Sequence, residues 1–158
     1  MQSTSKKITQ SEALTRARTL CARKEQSVSE ILLLLQEWGL KPESAEEVIG
    51  KLKSEKFIDE GRYASAYIKD KTSLQKWGLV KIKFALKSKG IPSSLAEEAI
   101  NEFDMTEYRS MIKNELIKKK KSIKGSSFEG RQKLVRFGIS RGYETDIVYS
   151  ILDEIFKA

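Results

Sequence analysis

Apolar residues recur at helical spacing in the middle of the chain. Leu79, Ile82 and Leu86 follow an i, i+3, i+7 pattern, which places them on one helical face while lysines cover most of the remaining circumference. Gly90 then ends the helix, because glycine adopts a positive φ without steric cost, and Pro92 marks the turn that follows. A second apolar stripe consists of Ala96, Ala99, Ile100 and Phe103. The pattern predicts two helices separated by a glycine stop and a proline turn.

The same pattern occurs three times when it is counted from Gly39, Gly90 and Gly142, which lie about 51 residues apart. The residues eight before each glycine and six, nine, ten and thirteen after it are all apolar. Four residues before the glycine, the first two copies have leucine and the third has Gly138, so a register based on Gly138 is an alternative for the third copy. Amphipathic helices resemble one another by chance, but constant offsets on both sides of a glycine favour repeated helical units.

The repeats predict an all-α protein, made of three tandem three-helix repeats that form an elongated, curved array. The low content of helix breakers, 9 glycines and 2 prolines in 158 residues, agrees with this fold class. The predicted division is a disordered N-terminal tail over 1–10, followed by repeats over 11–58, 59–103 and 104–158.

Capping residues predict where several helices begin. Ser11 is expected to cap the first helix, Ser27 the second, Asp59 the fourth and Asp104 a long seventh helix. The residues of the seventh helix that are expected to face inward are Met105, Tyr108, Ile112 and Leu116.

The composition restricts the class of protein further. No apolar run approaches the length of a membrane span, and residues 1–10 lack the apolar core of a signal peptide. One cysteine excludes an internal disulfide framework, so a reducing, cytoplasmic location is expected.

Histidine is absent, which removes the commonest general base and the commonest metal ligand. The sequence also has no phosphate-binding loop, no glycine-rich dinucleotide motif and no cysteine cluster for zinc. These observations predict a protein that is not an enzyme and has no catalytic residue, no cofactor and no metal site.

The formal net charge of +8 is unevenly distributed. Residues 106–142 contain 11 Lys/Arg against 3 Asp/Glu, and residues 69–89 contain 7 against 1. Such clusters favour contact with a polyanion, whereas a solvated helix face is the alternative for any single lysine. The candidate partner-binding residues are Arg62, Lys81, Lys83, Lys87, Lys89, Lys113, Lys118, Lys119, Lys120, Lys121, Lys124, Arg131, Arg136 and Arg141. For Arg62, an ion pair between helices is an equally good interpretation.

Four short segments resemble motifs of the RecX family of recombinase regulators, in the same order. Residues 57–64 read Phe-Ile-Asp-Glu-Gly-Arg-Tyr-Ala, residues 86–91 read Leu-Lys-Ser-Lys-Gly-Ile, residues 27–31 read Ser-Val-Ser-Glu-Ile and residues 141–143 read Arg-Gly-Tyr. No single motif is specific, but their order and spacing are, and the resemblance covers nearly the whole chain. The departures from the family pattern are Gln26, Glu60 and Leu79, and of these Gln26 removes one basic contact.

The resemblance implies three tandem three-helix units that bind RecA filaments on DNA and suppress ATP hydrolysis and strand exchange in recombination and DNA repair. It implies no catalytic residues. The expected partners are thus the RecA filament and, as a further partner, single- or double-stranded DNA, with the protein acting as a monomer and without a membrane. The alternative function is an autonomous helical protein that binds DNA or RNA; its support is the charge alone, because no helix-turn-helix signature is recognisable.

Overall fold

The computed structural model describes residues 7–157, and within that range the chain forms nine α-helices and no β-strand. The helices are α1 (Gln10–Arg23), α2 (Val28–Glu37), α3 (Pro42–Ser54), α4 (Glu60–Ser73), α5 (Leu79–Ser88), α6 (Ser93–Asn101), α7 (Met105–Lys120), α8 (Ser127–Arg141) and α9 (Thr145–Ile155). The most extensive helix packing occurs within three consecutive sets, which we call unit 1 (α1–α3), unit 2 (α4–α6) and unit 3 (α7–α9). The predicted all-α repeat fold is confirmed, while its elongated, curved outline stays a prediction.

Side-chain caps fix the starts of several helices. Ser27 and Glu30 form a reciprocal capping box, and Asp59 and Asp104 accept hydrogen bonds from amides in the first turns of α4 and α7. The predicted cap at Ser11 is wrong: Thr9 Oγ1 accepts the Glu12 amide at 3.1 Å, so α1 begins two residues earlier than predicted.

The predicted N-terminal tail overlaps this helix start. Gln10 is already helical, and Ile8 packs against the core of unit 1. The remainder of that prediction, residues 1–6, lies outside the described residues.

The three glycines that define the repeat have φ values of +87°, +78° and +87° at Gly39, Gly90 and Gly142. In each case the amide of the next residue donates to the carbonyl five residues earlier, at 3.0 Å, and the glycine amide donates to the carbonyl three residues earlier, also at 3.0 Å. This is the Schellman arrangement, which needs a left-handed residue at the helix end. The register based on Gly142 is therefore correct.

Gly138, the exception in the repeat, is explained by close helix packing. It is buried in α8, where a Cβ atom would lie 2.8 Å from Cγ2 of Val148 in α9. The two leucines at equivalent positions, Leu35 and Leu86, are fully buried. The third unit therefore brings two helices closer together where the first two units place a leucine side chain.

Within residues 7–157 the buried apolar residues form two cores, although the helices form three units. Unit 1 has a core of its own, whereas the buried residues of units 2 and 3 form one continuous cluster. In α7, Tyr108, Ile112 and Leu116 are buried as predicted. The inward prediction for Met105 is wrong, because this first residue of α7 lies beyond the packed part of the helix and is 44% exposed.

Polar side chains near the surface join unit 1 to unit 2, at what we call the first junction. Tyr63 donates to Glu30 at 2.7 Å, and Lys89 pairs with the same carboxylate at 3.3 Å. Arg62 Nε donates to Glu25 at 2.9 Å, and the Ser29 hydroxyl donates to the Lys89 carbonyl at 2.7 Å. Each of these hydrogen bonds and ion pairs between unit 1 and unit 2 therefore involves at least one side chain.

Backbone groups join unit 2 to unit 3, at what we call the second junction. The amides of Gly78 and Val80 donate to the carbonyls of Arg141 and Gly142 at 2.7 and 3.0 Å. A Cβ atom on Gly78 would lie only 2.1 Å from the Gly142 backbone, so glycine is required for this approach. Main-chain contact therefore joins units 2 and 3 at the point where the N-terminus of α5 meets the C-terminus of α8.

Within residues 7–157, no helix is long and apolar enough to cross a membrane.

Candidate functional site

Five of the fourteen candidate basic residues form ion pairs within the described part of the chain. They are Arg62 with Glu25, Lys83 with Glu97, Lys89 with Glu30, Lys113 with Glu154 and Arg131 with Asp153. For Arg62 the ion-pair interpretation is the one that the geometry favours, because its guanidinium also donates to the Lys56 carbonyl at 2.9 Å. The positive charge of these five residues is already compensated locally.

The other nine candidates form no ion pair within residues 7–157. They are Lys81, Lys87, Lys118, Lys119, Lys120, Lys121, Lys124, Arg136 and Arg141. Most belong to unit 3, and the run 118–121 occupies the last turn and the C-cap of α7, where positive charge is favourable next to the helix carbonyls. These residues supply the uncompensated charge that an anionic partner requires.

Lysine ammonium groups lie over aromatic rings on unit 2. Lys71 Nζ is 5.3 Å from the ring centroid of Tyr67 and 4.7 Å from that of Trp77. Lys81 of α5 also contacts this tryptophan, with its Nζ atom 4.4 Å from the ring centroid. Lys89 Nζ lies 5.8 Å from the Tyr67 ring and thus connects these residues to the first junction. We call this set of five residues the cation–aromatic strip. Trp77 is half-buried.

A similar arrangement occurs on unit 3, around Phe137. The guanidinium carbon of Arg141 is 4.9 Å from the ring centroid, and Lys119 Nζ is 5.5 Å from it. Attraction between a cation and the electron-rich ring face holds such side chains over the ring. Two helices, α7 and α8, thereby contribute cations to one aromatic side chain.

The second junction places the basic residues of units 2 and 3 next to each other. Lys81 lies beside Gly142, because a Cβ atom on this glycine would be 2.3 Å from the Lys81 Cβ atom. Arg141 is the preceding residue, and its carbonyl accepts the Gly78 amide. The structure thus places one cation of 69–89, Lys81, beside one of 106–142, Arg141, although the two clusters are distinct in the sequence.

Sequence reasoning did not select Lys71 and Arg109. Lys71 follows Tyr67 by one helical turn and precedes Trp77, a spacing that was available as a signal. Arg109 pairs with Glu154 at 2.7 Å and donates to the Ser150 hydroxyl, so its role is to hold α7 to α9. No pattern in the sequence indicates that contact.

Two glutamates at the junctions have pKa values shifted in opposite directions. Burial raises the pKa of Glu30, but the hydrogen bonds from Tyr63, the Ser27 amide and Lys89 outweigh it, so the pKa lies below its ordinary value. Burial also raises the pKa of Glu144, and here the hydrogen bond from Tyr108 does not compensate, so that pKa stays raised. Both carboxylates serve packing between elements.

Within residues 7–157, no three His, Cys, Asp or Glu side chains lie close enough together to hold a metal ion. The arrangement is suited to binding through charge and aromatic contact.

Two family models match the chain, one within unit 2 and one within unit 3. Residues 59–100 match the model of the RecX second three-helix domain, and residues 107–152 match that of the RecX third three-helix domain. Regulatory protein RecX of Prosthecochloris aestuarii is 31% identical over 144 residues, which cover 91% of this chain and 93% of that protein. Regulatory protein RecX of Clostridium acetobutylicum is 30% identical over 150 residues, covering 92% and 69%.

Solved structures show the same fold. RecX from Lactobacillus salivarius superimposes with a TM-score of 0.83 at 20% identity, covering 92% of this chain and 96% of that one. A crystal structure of another regulatory protein RecX gives a TM-score of 0.82 at 22% identity, covering 91% and 73%. The repeat, the two matching domains and a relative that aligns over almost its full length lead to one conclusion: the chain belongs to the RecX family of regulatory proteins.

Proposed function

We propose that this protein binds RecA filaments and inhibits both RecA ATP hydrolysis and DNA strand exchange. The observation that carries the proposal is the membership of the RecX family, established over more than nine-tenths of the chain. In this proposal the chain acts in the cytoplasm as a monomer, as part of recombination and DNA repair.

The tandem units support binding to a polymer. Several weak contacts made by linked units act together, because the first contact raises the effective concentration for the next. The nine uncompensated cations, which lie on units 2 and 3, supply a charged surface for DNA phosphates or for acidic protein faces. Contacts of either kind weaken as the salt concentration rises.

Binding, without chemistry on a substrate, is sufficient for this role. An inhibitor that occupies a filament needs only a higher affinity for one state of the filament than for the other. We therefore propose regulation by binding, with no catalytic residue.

The direct test measures DNA-dependent ATP hydrolysis and strand exchange by the cognate RecA with increasing amounts of the purified protein. Inhibition at or below one molecule per RecA protomer is expected, together with co-sedimentation with the filaments. No effect on either reaction would contradict the proposal.

A site-level test replaces residues 118–121 with glutamine. We expect weaker filament binding at low salt and unchanged helicity, because these exposed lysines form no ion pair within residues 7–157. A matched control carries four exposed lysines outside units 2 and 3, changed to glutamine: Lys24, Lys41, Lys51 and Lys53. Equal affinities for the two variants would make the cluster a solvated helix face.

The cation–aromatic strip favours a second candidate function, which is direct binding to single-stranded nucleic acid. Bases stack on aromatic rings while lysines contact phosphates, and such binding tolerates many sequences. Fluorescence anisotropy with a labelled oligonucleotide at physiological salt tests it, with Trp77→Ala as the variant. Binding that is tight, sensitive to this substitution and independent of RecA would favour the second function over the first.

A further inference from the structure

The second helix of each unit carries large apolar side chains that face away from the core. Within residues 7–157 eight large hydrophobic side chains are exposed, and five of them belong to α2, α5 and α8. These five are Leu33, Val80, Phe84, Phe128 and Ile139. Single exposed apolar residues are ordinary on a protein surface, but their concentration on equivalent helices of a repeat indicates a shared contact surface.

The outward side of α5 combines apolar and basic residues. Its buried side consists of Leu79, Ile82 and Leu86. An exposed side next to it consists of Val80, Lys83, Phe84 and Lys87, spaced i, i+3, i+4, i+7. Phe84 is 73% exposed. The four outward residues line a shallow groove whose other wall comes from α6 and includes Ala96 and Glu97. The groove thus offers an exposed aromatic ring beside the uncompensated ammonium group of Lys87, whereas the ammonium group of Lys83 pairs with Glu97 at 2.9 Å.

The outward side of α8 repeats this combination. Phe128 and Ile139 lie at i and i+11 on the exposed surface of the helix, and Val135 between them is half-buried, because it also packs against the core of units 2 and 3. Arg131 and Arg136 flank this apolar line, and both residues line a groove together with Tyr149 of α9. Phe128 is 69% exposed, almost as much as Phe84.

The second junction fixes these two outward sides relative to each other. The amides of Gly78 and Val80, at the start of α5, donate to the last carbonyls of α8. The two apolar lines therefore lie on helices that meet end to end and share one core behind them. We call the outward residues of α5 and α8 together the outer ridge.

We propose that the outer ridge is the docking surface for the protein subunits of a filament, with each helix contacting one subunit. The partner surface would present apolar side chains with carboxylates around them. This inference rests on the proposed function, which it extends by naming the surface and the chemistry of its partner.

Three observations favour protein over nucleic acid as the partner of this surface. Val80 and Ile139 are exposed aliphatic side chains, and phosphates or stacked bases would not bury them, whereas apolar protein side chains would. Phenylalanine and arginine in such a setting are residues that contribute strongly to protein interfaces. Lys87 and Arg136 form no ion pair within residues 7–157, so a carboxylate of the partner would neutralise their charge.

The repetition itself favours a polymer as the partner. Two similar surfaces on a rigid pair of units match two identical subunits at a fixed spacing, and binding both raises the overall affinity. Loss of one surface should therefore lower the affinity strongly, and loss of both should lower it further.

The experiment measures the affinity of the full chain for RecA filaments assembled on single-stranded DNA, by co-sedimentation. The variants are Phe84→Ala, Phe128→Ala and the double substitution, with Leu74→Ala as the matched control, because Leu74 is 77% exposed but lies at the end of α4. We expect each single substitution to weaken binding about tenfold, the double substitution to weaken it further and the control to stay within about twofold. Because all three side chains are exposed, circular dichroism should show unchanged helicity and melting temperature.

Each other outcome has a defined meaning. Wild-type affinity in the double variant would overturn the docking surface and leave the proposed function intact. An equal loss in the Leu74→Ala control would also overturn it, because the effect would not belong to the ridge. Weaker binding of naked oligonucleotide without weaker filament binding would assign the ridge to nucleic acid. Failure of the wild-type chain to bind filaments would overturn both proposals.

Discussion

The two junctions join similar units in different ways. At the first junction, ion pairs and hydrogen bonds between partly exposed side chains hold unit 1, which keeps a core of its own. At the second junction, main-chain groups bond directly and the cores of units 2 and 3 merge. Exposed ion pairs contribute about 0–1 kcal/mol each, whereas a continuous core contributes through its whole apolar area. The comparison teaches that a sequence repeat defines the units but leaves their connection open.

Two tyrosines at equivalent positions show the difference most clearly. Tyr63 and Tyr108 each follow an aspartate cap by four residues, and each donates to a glutamate at 2.7 Å. Tyr63 reaches back across the first junction to Glu30. Tyr108 bonds to Glu144 within its own unit and also accepts the Leu79 amide of unit 2 at 2.8 Å, so one hydroxyl serves both bonds. Equivalent residues thus close the two junctions by different chemistry.

The largest effect is expected from Gly142→Ala. Both Gly142 and Gly39 have a φ of +87°, but an added Cβ meets Lys81 at 2.3 Å in the first case and nothing within 4 Å in the second. We expect Gly142→Ala to lower the free energy of unfolding by about 3 kcal/mol and Gly39→Ala to lower it by about 1 kcal/mol. Urea denaturation measures both. Equal losses in the free energy of unfolding would show that the second junction accommodates the added methyl group without further cost, as the open space around Gly39 does.

A smaller difference is expected between Tyr108→Phe and Tyr63→Phe. Removing the Tyr108 hydroxyl leaves the buried Leu79 amide without its partner, which costs about 1–3 kcal/mol. Removing the Tyr63 hydroxyl leaves Glu30 with its bonds from the Ser27 amide and Lys89, so a loss of about 0.5–1 kcal/mol is expected. Thermal and urea unfolding of the two variants would measure this order, and the reverse order would contradict the assignment of Tyr108 to a buried junction.

The pH dependence of stability should differ in sign between Glu30 and Glu144. The pKa of Glu30 is lowered by folding, so its contribution is present at pH 7 and is lost as the pH falls through the folded-state pKa. The pKa of Glu144 is raised, so its ionised form costs stability at neutral pH, and that cost disappears as the pH falls below the unfolded-state pKa. The stability that Glu30→Gln loses relative to the wild type should therefore be larger at pH 7 than at pH 3.5. Glu144→Gln should show the opposite trend.

Both changes should stay below about 1 kcal/mol, because the carboxyl groups are partly exposed. Urea denaturation of wild type and variants at the two pH values measures them. The same trend in both variants would mean that the two junction carboxylates have the same environment.

The smallest effect on global stability is expected from Arg62→Gln. Its ion pair with Glu25 is exposed, so the loss should be about 0.5 kcal/mol or less. Locally, however, the Lys56 carbonyl loses a donor at 2.9 Å, and hydrogen exchange of the amides in residues 55–59 should become several-fold faster. Arg109→Gln, which breaks an ion pair inside unit 3, is the matched control and should leave that segment unchanged. Unchanged exchange in both variants would show that Arg62 does not stabilise the first junction.

Much of the fold follows from local patterns. The apolar stripes, the caps at Ser27, Asp59 and Asp104 and the glycine helix ends depend on residues within one or two turns, so the sequence contains their causes. The wrong prediction at Ser11 is local too, because Thr9, another residue that can cap a helix, lies two residues earlier. The candidate site was harder to predict from the sequence. Lys89 and Arg131 look like unpaired cations there, because the carboxylates with which they pair are distant along the chain.

The helical repeat and the family resemblance could be recognised without a structure, since both depend on the spacing of residues along one chain. Tertiary structure alone decided which cations are compensated, that units 2 and 3 share a core, and that α5 begins on the end of α8. The physical reason is range. A helix and its caps form from neighbours in sequence. Gly78 and Gly142, in contrast, are far apart in sequence, so no local pattern predicts their contact. The two backbones can approach each other because neither residue carries a side chain.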